Sequence, residues 1–411
     1  MLLINLAFGL LAFAMIVYLV RHYVFTAITL IYGRDVETCF DGDGAFTPFV
    51  SIVVPAHNEE KVIWRLLERI CEFLYPKERL EVIVVDDGSK DGTGKIVDAF
   101  AGKCGFIKSL HRSSACGKAA ALNEALKHVH GEIVYFFDAD YVPDVNFVEF
   151  ANRAFYDLKV GVVQGCIRVL NLGKWVSNVV SLERIGGYRV DQLARDILGL
   201  VPQFGGTVGG VRRSLLEALG GFDEDVLAED TDLTFRVYLA GYKIRYLPSV
   251  GSYEEAVEGW LGYWRQRKRW AKGHMQCFFK HFLPLIRSRN LTFREKLDGL
   301  LLLSIYFVPI LVGLGWLLGF LCFLLGYGLF AGRTALLLTL IYFVSGNLAP
   351  LSEIIVGVIL EKRLGLLRYI PLLFVAFTLN VFICTKAFFE ILVWKMRGKA
   401  CLKWDKTVHK G

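Results

Sequence analysis

The chain has no Cys-x-x-Cys pair, and its 9 cysteines lie scattered through 411 residues. That argues against a zinc site or a disulfide framework and for free thiols in a reducing compartment. The dinucleotide fingerprint Gly-x-Gly-x-x-Gly is missing. No basic stretch precedes the first apolar run and no small-residue cleavage site follows it, so a secretory signal is not expected. No internal repeat is present. Apolar residues make up 54% and charged ones 21%, too apolar for an ordinary soluble chain and too charged for a pure membrane bundle. One soluble domain joined to spanning helices fits both figures. The net charge is +7, with basic residues beside apolar blocks. This pattern reads as charge on the cytoplasmic side of a membrane and not as a nucleic-acid surface.

Residues 2–20 are apolar and uncharged. As a helix they span about 28 Å, close to one hydrocarbon core. Arg21, His22 and Arg34 follow, which by the positive-inside rule puts the next domain in the cytoplasm. The run from Asp41 (DGDGAFTP) reads as a linker. Phe49–Pro55 and Leu80–Val85 are short buried strands, each ending in a polar loop, with a helix over Lys61–Tyr75 between them. Strand, polar loop and helix in succession predict a parallel α/β sheet with ligands at the strand C-termini. Asp86-Asp87 stands on a Gly-rich loop after the second strand. Such acids can cap the next helix, or accept from a nucleobase N–H and ribose hydroxyls. Lys118 opens a small-residue helix and is either solvated or within reach of a diphosphate. A third strand, Glu132–Phe137, ends in Asp138-Ala139-Asp140. Two acids one residue apart at a strand exit point the same way and suit Mg²⁺ or Mn²⁺. A further strand is expected at Val160–Cys166, then an amphipathic run, Lys174–Leu198, broken at Gly186-Gly187 and lying on the membrane face. Phe204-Gly205-Gly206-Thr207 lets backbone approach a ligand closely.

Glu229-Asp230 enters an amphipathic helix that Gly241 stops. A helix N-terminus holds a carboxylate ionised, and a simple cap is the plainer role. Gln266, Arg269 and Trp270 then fall within one turn. An indole stacks on sugar rings and a guanidinium forks onto phosphate, although Arg-Trp among basic residues also anchors proteins at membrane interfaces. Three apolar blocks follow, at roughly 299–330, 334–360 and 366–394, before a basic tail. Asn380, Lys386 and Glu390 make the last block a poor lipid-facing helix.

In order, PAHNEE, VVDDGSKDGT, GKAAALN, DAD, FGGT, AED and QRKRW resemble the processive membrane glycosyltransferases of family 2. That group includes cellulose, chitin, hyaluronan, mannan and poly-N-acetylglucosamine synthases. The likeness covers residues 48–285 and departs at Gly205, where Cys is usual. It implies a GT-A fold: an α/β domain with a mainly parallel mixed sheet, plus transmembrane helices. The implied layout is a spanning helix in 1–33, a cytoplasmic GT-A domain in 34–290, membrane helices in 291–394 and a tail in 395–411. It implies that Glu59, Asp86, Asp87 and Lys118 bind nucleotide, and that Asp138 serves donor and metal with Asp140. Gly206 and Thr207 would cradle the acceptor. Asp230, with Glu229 beside it, would be the catalytic base. Gln266, Arg269 and Trp270 would hold donor diphosphate and acceptor sugar. The implied reaction is an inverting transfer from a nucleoside-diphosphate sugar, expected to be a UDP-sugar, aided by Mg²⁺ or Mn²⁺, onto a growing β-linked polysaccharide. The rivals are transfer to a lipid or glycolipid acceptor, and a non-catalytic nucleotide-sugar-binding membrane protein. The protein is expected in the cell membrane, multi-pass, in contact with the bilayer. Residues 404–410 resemble a gating loop that would bring Thr407 to the phosphates. A cytoplasmic tail would then require an even number of crossings after residue 290.

Overall fold

The computed structural model describes residues 2–33, 46–326 and 348–396. Thr407 and the tail lie outside them. The strands are β1 (Val50–Ala56), β2 (Leu80–Asp86), β3 (Ile107–His111), β4 (Ile133–Phe136), β5 (Val142–Pro143), β6 (Val160–Val169), β7 (Gly209–Arg212) and β8 (Lys243–Glu254). The helices are α1 (Leu2–Tyr32), α2 (Ile63–Cys71), α3 (Thr93–Lys103), α4 (Lys118–Leu126), α5 (Phe147–Asn152), α6 (Trp175–Arg184), α7 (Leu193–Ile197) and α8 (Arg213–Ala218). They continue with α9 (Glu229–Leu239), α10 (Trp260–Arg287), α11 (Phe293–Ser304), α12 (Val308–Leu324), α13 (Leu348–Leu360) and α14 (Ile370–Met396).

The sheet order is β3-β2-β1-β4-β7-β6-β8-β5. β3, β2, β1 and β4 run parallel, β7 is antiparallel to both β4 and β6, and β8 is parallel to β6. A mixed sheet of GT-A type results. β1 and β2 are buried on both faces, which is why they are almost unbroken runs of Val and Ile. α2 buries Ile63, Leu66, Leu67 and Ile70, one stripe at helical spacing. The chain leaves β1 toward β2 and β3 on one side and returns to β4 on the other. The C-terminal ends of β1 and β4 therefore flank a topological switch point, where open α/β sheets bind ligands.

The Gly186-Gly187 break is corrected. Ile185–Gln192 is π-helical and continuous with α6 and α7. Glycine lacks the side chain that would resist the wider turn, so the helix loosens without ending. β3 was not foreseen, because only Ile107 in it is buried.

Among the described residues, three stretches are long and apolar enough to cross a membrane: Gly9–Tyr32, Phe293–Leu324 and Leu364–Val393. The first encloses Arg21 and His22, so these do not follow the apolar helix but sit within it. Arg21 pairs with Asp191, and His22 Nδ1 lies 2.8 Å from Glu353. Polar groups of the last stretch turn toward α10. Asn380 donates to the Tyr263 hydroxyl at 3.0 Å, and Glu390 pairs with Lys272. Among the described residues α13 is an apolar helix of Leu348–Leu360, shorter than the three stretches above.

Asp232 locks α9 to α10. Its fully buried carboxylate meets His281 Nε2 at 2.7 Å, Lys280 Nζ at 2.6 Å and Arg236 Nε at 2.7 Å. Hydrogen bonds from His281 and Lys280 overcome burial and pull its pKa down to about 2. The folded value lies below the unfolded one, so this stabilisation is present above about pH 4 and is lost as pH falls toward 2. Asp232→Asn is expected to cost about 3–5 kcal/mol, because it removes the buried negative charge and one of the two acceptor oxygens that His281, Lys280 and Arg236 share. A thermal melt in detergent at neutral pH checks this.

Candidate active site

Three strand exits and two helix entries, those of α4 and α9, converge on a cavity of about 1680 Å³. Its polar end is lined by Glu59, Asp87, Lys118, Asp138, Asp140, Thr207, Glu229, Asp230, Gln266, Arg269 and Trp270. The loops after β1 and β2 are tied together. The Glu59 N–H donates to Thr93 Oγ1 at 2.7 Å, and Asn58 N–H to Ser89 Oγ at 2.8 Å. Two of the expected nucleotide ligands are partly committed elsewhere. Asp87 accepts from the Gly117 N–H at 2.9 Å and the Cys116 N–H at 3.1 Å, and lies 3.3 Å from Arg112. Asp86 does not line the cavity; its carboxylate holds the Ser89 N–H at 3.0 Å and faces His111 Nδ1 at 3.2 Å.

Lys118 is the centre of charge. Gly117, at φ +100°, turns the chain into α4 and delivers the ammonium among the acids. Nζ is 2.8 Å from Asp138, 3.4 Å from Glu229 and 3.1 Å from the Gly206 carbonyl oxygen. Burial alone would lower its pKa, but Asp138 and Glu229 hold it above the usual lysine value. Asp138 is fixed through its own N–H, which donates to Thr207 Oγ1 at 3.0 Å. Gly206 has φ +75°, and a Cβ there would stand 3.0 Å from Asp230 Cβ, so the loop lies directly against the acid.

Glu229 and Asp230 form the first turn of α9 behind Ala228, and neither is the cap residue. Asp230 Oδ1 accepts from the Thr231 N–H at 2.6 Å. Burial raises the pKa of both acids above the ordinary range, while Lys118 opposes the rise. A carboxylate lifted in this way is a stronger base than an ordinary aspartate, which suits a general base.

Among the described residues, no group of three or more His, Cys, Asp or Glu could hold a metal. Asp138 and Asp140 offer two carboxylates at one strand exit. That donor set does not make a protein cage. It fits Mg²⁺ or Mn²⁺ shared with diphosphate oxygens and water.

Residues 51–220 match the model of glycosyl transferase family 2. They form a family 2 glycosyltransferase domain. The chain is 34% identical over 267 residues to the β-monoglucosyldiacylglycerol synthase of Trichormus variabilis, covering 64% of this chain and 56% of that one. It is 28% identical over 244 residues to the poly-β-1,6-N-acetyl-D-glucosamine synthase of Staphylococcus epidermidis, covering 59% of this chain and 58% of that one. The chain thus spans a little over half the length of both relatives. The fold matches the mannosyltransferase PcManGT from Pyrobaculum calidifontis, in complex with GDP-Man and Mn²⁺, at a TM-score of 0.58 and 26% identity, covering 86% of this chain and 98% of that chain.

Around the glycosyltransferase domain's motifs stand groups that no motif announced. Arg184 grips Glu254 at 2.6 and 2.8 Å. The Arg267 and Arg184 guanidiniums lie 4.3 and 5.0 Å from the Trp270 ring. Arg267 lies one helical turn before Trp270 within the same motif, whereas Arg184 and Glu254 come from segments far apart in sequence and leave no local pattern to find.

Asp230→Asn is expected to lower kcat by about 10²–10⁴-fold while nucleotide affinity stays within a few-fold, read by steady-state kinetics and calorimetry. Because a base works only when ionised and Asp230 is shifted upward, kcat/KM should fall on the acid side at a pH above the ordinary aspartate pKa of about 3.9. Lys118→Met removes the opposing charge and should move that limb to still higher pH.

Proposed function

We propose that the chain transfers a single sugar, with inversion, from a nucleoside-diphosphate sugar to a lipid hydroxyl. Asp230 takes the proton of the acceptor hydroxyl. That oxygen attacks the anomeric carbon as the bond to the diphosphate oxygen breaks, so an α-linked donor gives a β-linked product. Lys118 and Arg269 face the leaving diphosphate with positive charge, where electrostatic stabilisation does most for the barrier. A Mg²⁺ or Mn²⁺ ion held by Asp138 and Asp140 would add charge to the same leaving group. The expected donor base remains uracil, with GDP-sugars as the comparison.

The cavity's second arm carries the choice of acceptor. Beyond Trp270 it continues between Leu11 and Met15 of α1, Val312 and Trp316 of α12, and Phe374 and Phe377 of α14. A polysaccharide would bring several hydroxyls per sugar into this apolar arm, each costing about 1–3 kcal/mol if unpaired. Acyl chains fit there without that cost. Arg184, Arg195 and Arg267, which line the cavity, are each paired with a carboxylate: Glu254, Asp298 and Glu183. With Glu229 and Asp230 nearby, an uncharged head such as that of a diacylglycerol is favoured over a lipid phosphate. The relative whose name specifies a diacylglycerol product agrees. The aromatic faces of Trp270, Trp316 and Phe377 support the second reading, a polymer stacked along the same arm.

Purified protein in lipid nanodiscs is offered labelled UDP-glucose, UDP-N-acetylglucosamine, UDP-galactose or GDP-mannose. Each is tested with diacylglycerol, polyprenyl phosphate or no added acceptor. The expected result is one-sugar lipid in the organic phase with diacylglycerol. A high-mass aqueous ladder would replace this reading by the polymer. Val312→Trp, which narrows the arm, should raise the KM for diacylglycerol about tenfold and leave donor binding unchanged.

A further inference from the structure

One polar side chain at the site has no part in the chemistry described so far. His274 lies on α10, one turn beyond Trp270, and lines the cavity. Its Nε2 is 3.3 Å from Thr231 Oγ1. That hydroxyl is in turn 3.3 Å from Asp230 Oδ1, and it accepts from Gln203 Nε2 at 2.8 Å.

A threonine hydroxyl has one proton and two lone pairs. Gln203 can only donate through Nε2, so it fills one lone pair. The single hydroxyl proton goes to the stronger acceptor, the Asp230 carboxylate. The remaining lone pair faces His274, which must therefore carry its proton on Nε2. The second ring nitrogen agrees with this tautomer: Nδ1 is buried and makes no hydrogen bond. The ring packs 4.6 Å from that of Tyr306, and burial lowers its pKa to about 4, so it is neutral at physiological pH. The ionisable groups around Asp230 are Lys118, Glu229, Tyr188 and Tyr306. None of them makes a hydrogen bond to Thr231.

We propose that His274 is a positioning residue for the general base. By donating from Nε2 to Thr231 it holds the threonine proton on Asp230 Oδ1, and so leaves Oδ2, on the Gly206 side, for the acceptor hydroxyl. Without it the Thr231 hydroxyl can rotate, and the carboxylate loses one of the two bonds that orient it. The inference rests on Asp230 being the base.

The test separates orientation from packing. His274→Phe keeps an aromatic ring against Tyr306 and removes the donor; His274→Gln restores an amide N–H near the position of Nε2. The phenylalanine variant should lose about tenfold in kcat with both KM values within twofold, and the glutamine variant should recover to within threefold of wild type. Thr231→Val should match His274→Phe, and the double variant should be no worse than Thr231→Val, as expected of two residues acting on one bond. Wild-type kcat in His274→Phe would overturn the proposal. So would equal losses in the glutamine and phenylalanine variants, or additive losses in the double variant. If His274→Phe does not fold, Thr231→Val against Thr231→Ser decides: valine must lose the tenfold and serine must keep activity, and equal rates overturn the role. Asp230→Asn is run alongside. An active Asp230→Asn removes the base itself, whereas an inactive one with an unaffected His274→Phe removes only the role of His274.

Discussion

One ammonium group makes this site possible. Asp138, Glu229 and Asp230 gather at the buried end of a cavity, and the charge of Lys118 stands among them. Buried carboxylates at such spacing would otherwise take up protons. Protonated, Asp230 is no base and Asp138 no cation ligand. Lys118 opposes the upward shift that burial gives the Glu229 and Asp230 carboxyls. Arg269 lines the same cavity, and the proposed donor diphosphate and shared divalent cation would add their charges to this arrangement.

The fold serves that cluster by bringing distant segments to one point. Asp138 comes off β4, Lys118 opens α4, and Glu229 and Asp230 open α9. Gln266, Arg269, Trp270 and His274 ride on a single long helix, α10. Behind them runs a second layer of paired charge. Arg195 bridges Asp191 and Asp298, each at 2.6 Å, and Asp191 also receives Arg21 from α1. The first apolar helix is thereby joined to the soluble domain by buried ion pairs. Such pairs contribute little net stability, but breaking one leaves a charge stranded.

How much of this was legible followed from how local each signal was. β1 and β2 showed as short Val/Ile runs because a strand buried on both faces must be apolar along its length. Asp138 and Asp140 showed because a strand exit fixes their relation to it. α9 and its stop at Gly241, where φ is +89°, were equally local. β3 escaped because its exposed residues carry no alternation. Gly186-Gly187 was misread because glycine marks a loosened helix and a broken one alike. The Arg184–Trp270 and His274–Thr231 contacts depend on α10 crossing α6 and α9, which no window of sequence contains. Asp86 and Asp87 form an intermediate case. Their place at the end of β2 was readable, but the backbone that binds the Asp87 carboxylate comes from a loop some thirty residues later.

α10 is fastened to α14 at two heights, by Tyr263 with Asn380 and by Lys272 with Glu390. Arg269 and Trp270 lie between these fastenings. α14 is therefore also the datum from which Arg269 and Trp270 take their level. Cutting away the last apolar helix would leave two other stretches, Gly9–Tyr32 and Phe293–Leu324, that are long and apolar enough to cross a membrane. It would also remove the surface against which α10 is registered, so Gln266, Arg269 and Trp270 would lose the reference that sets their level against Lys118 and Asp230.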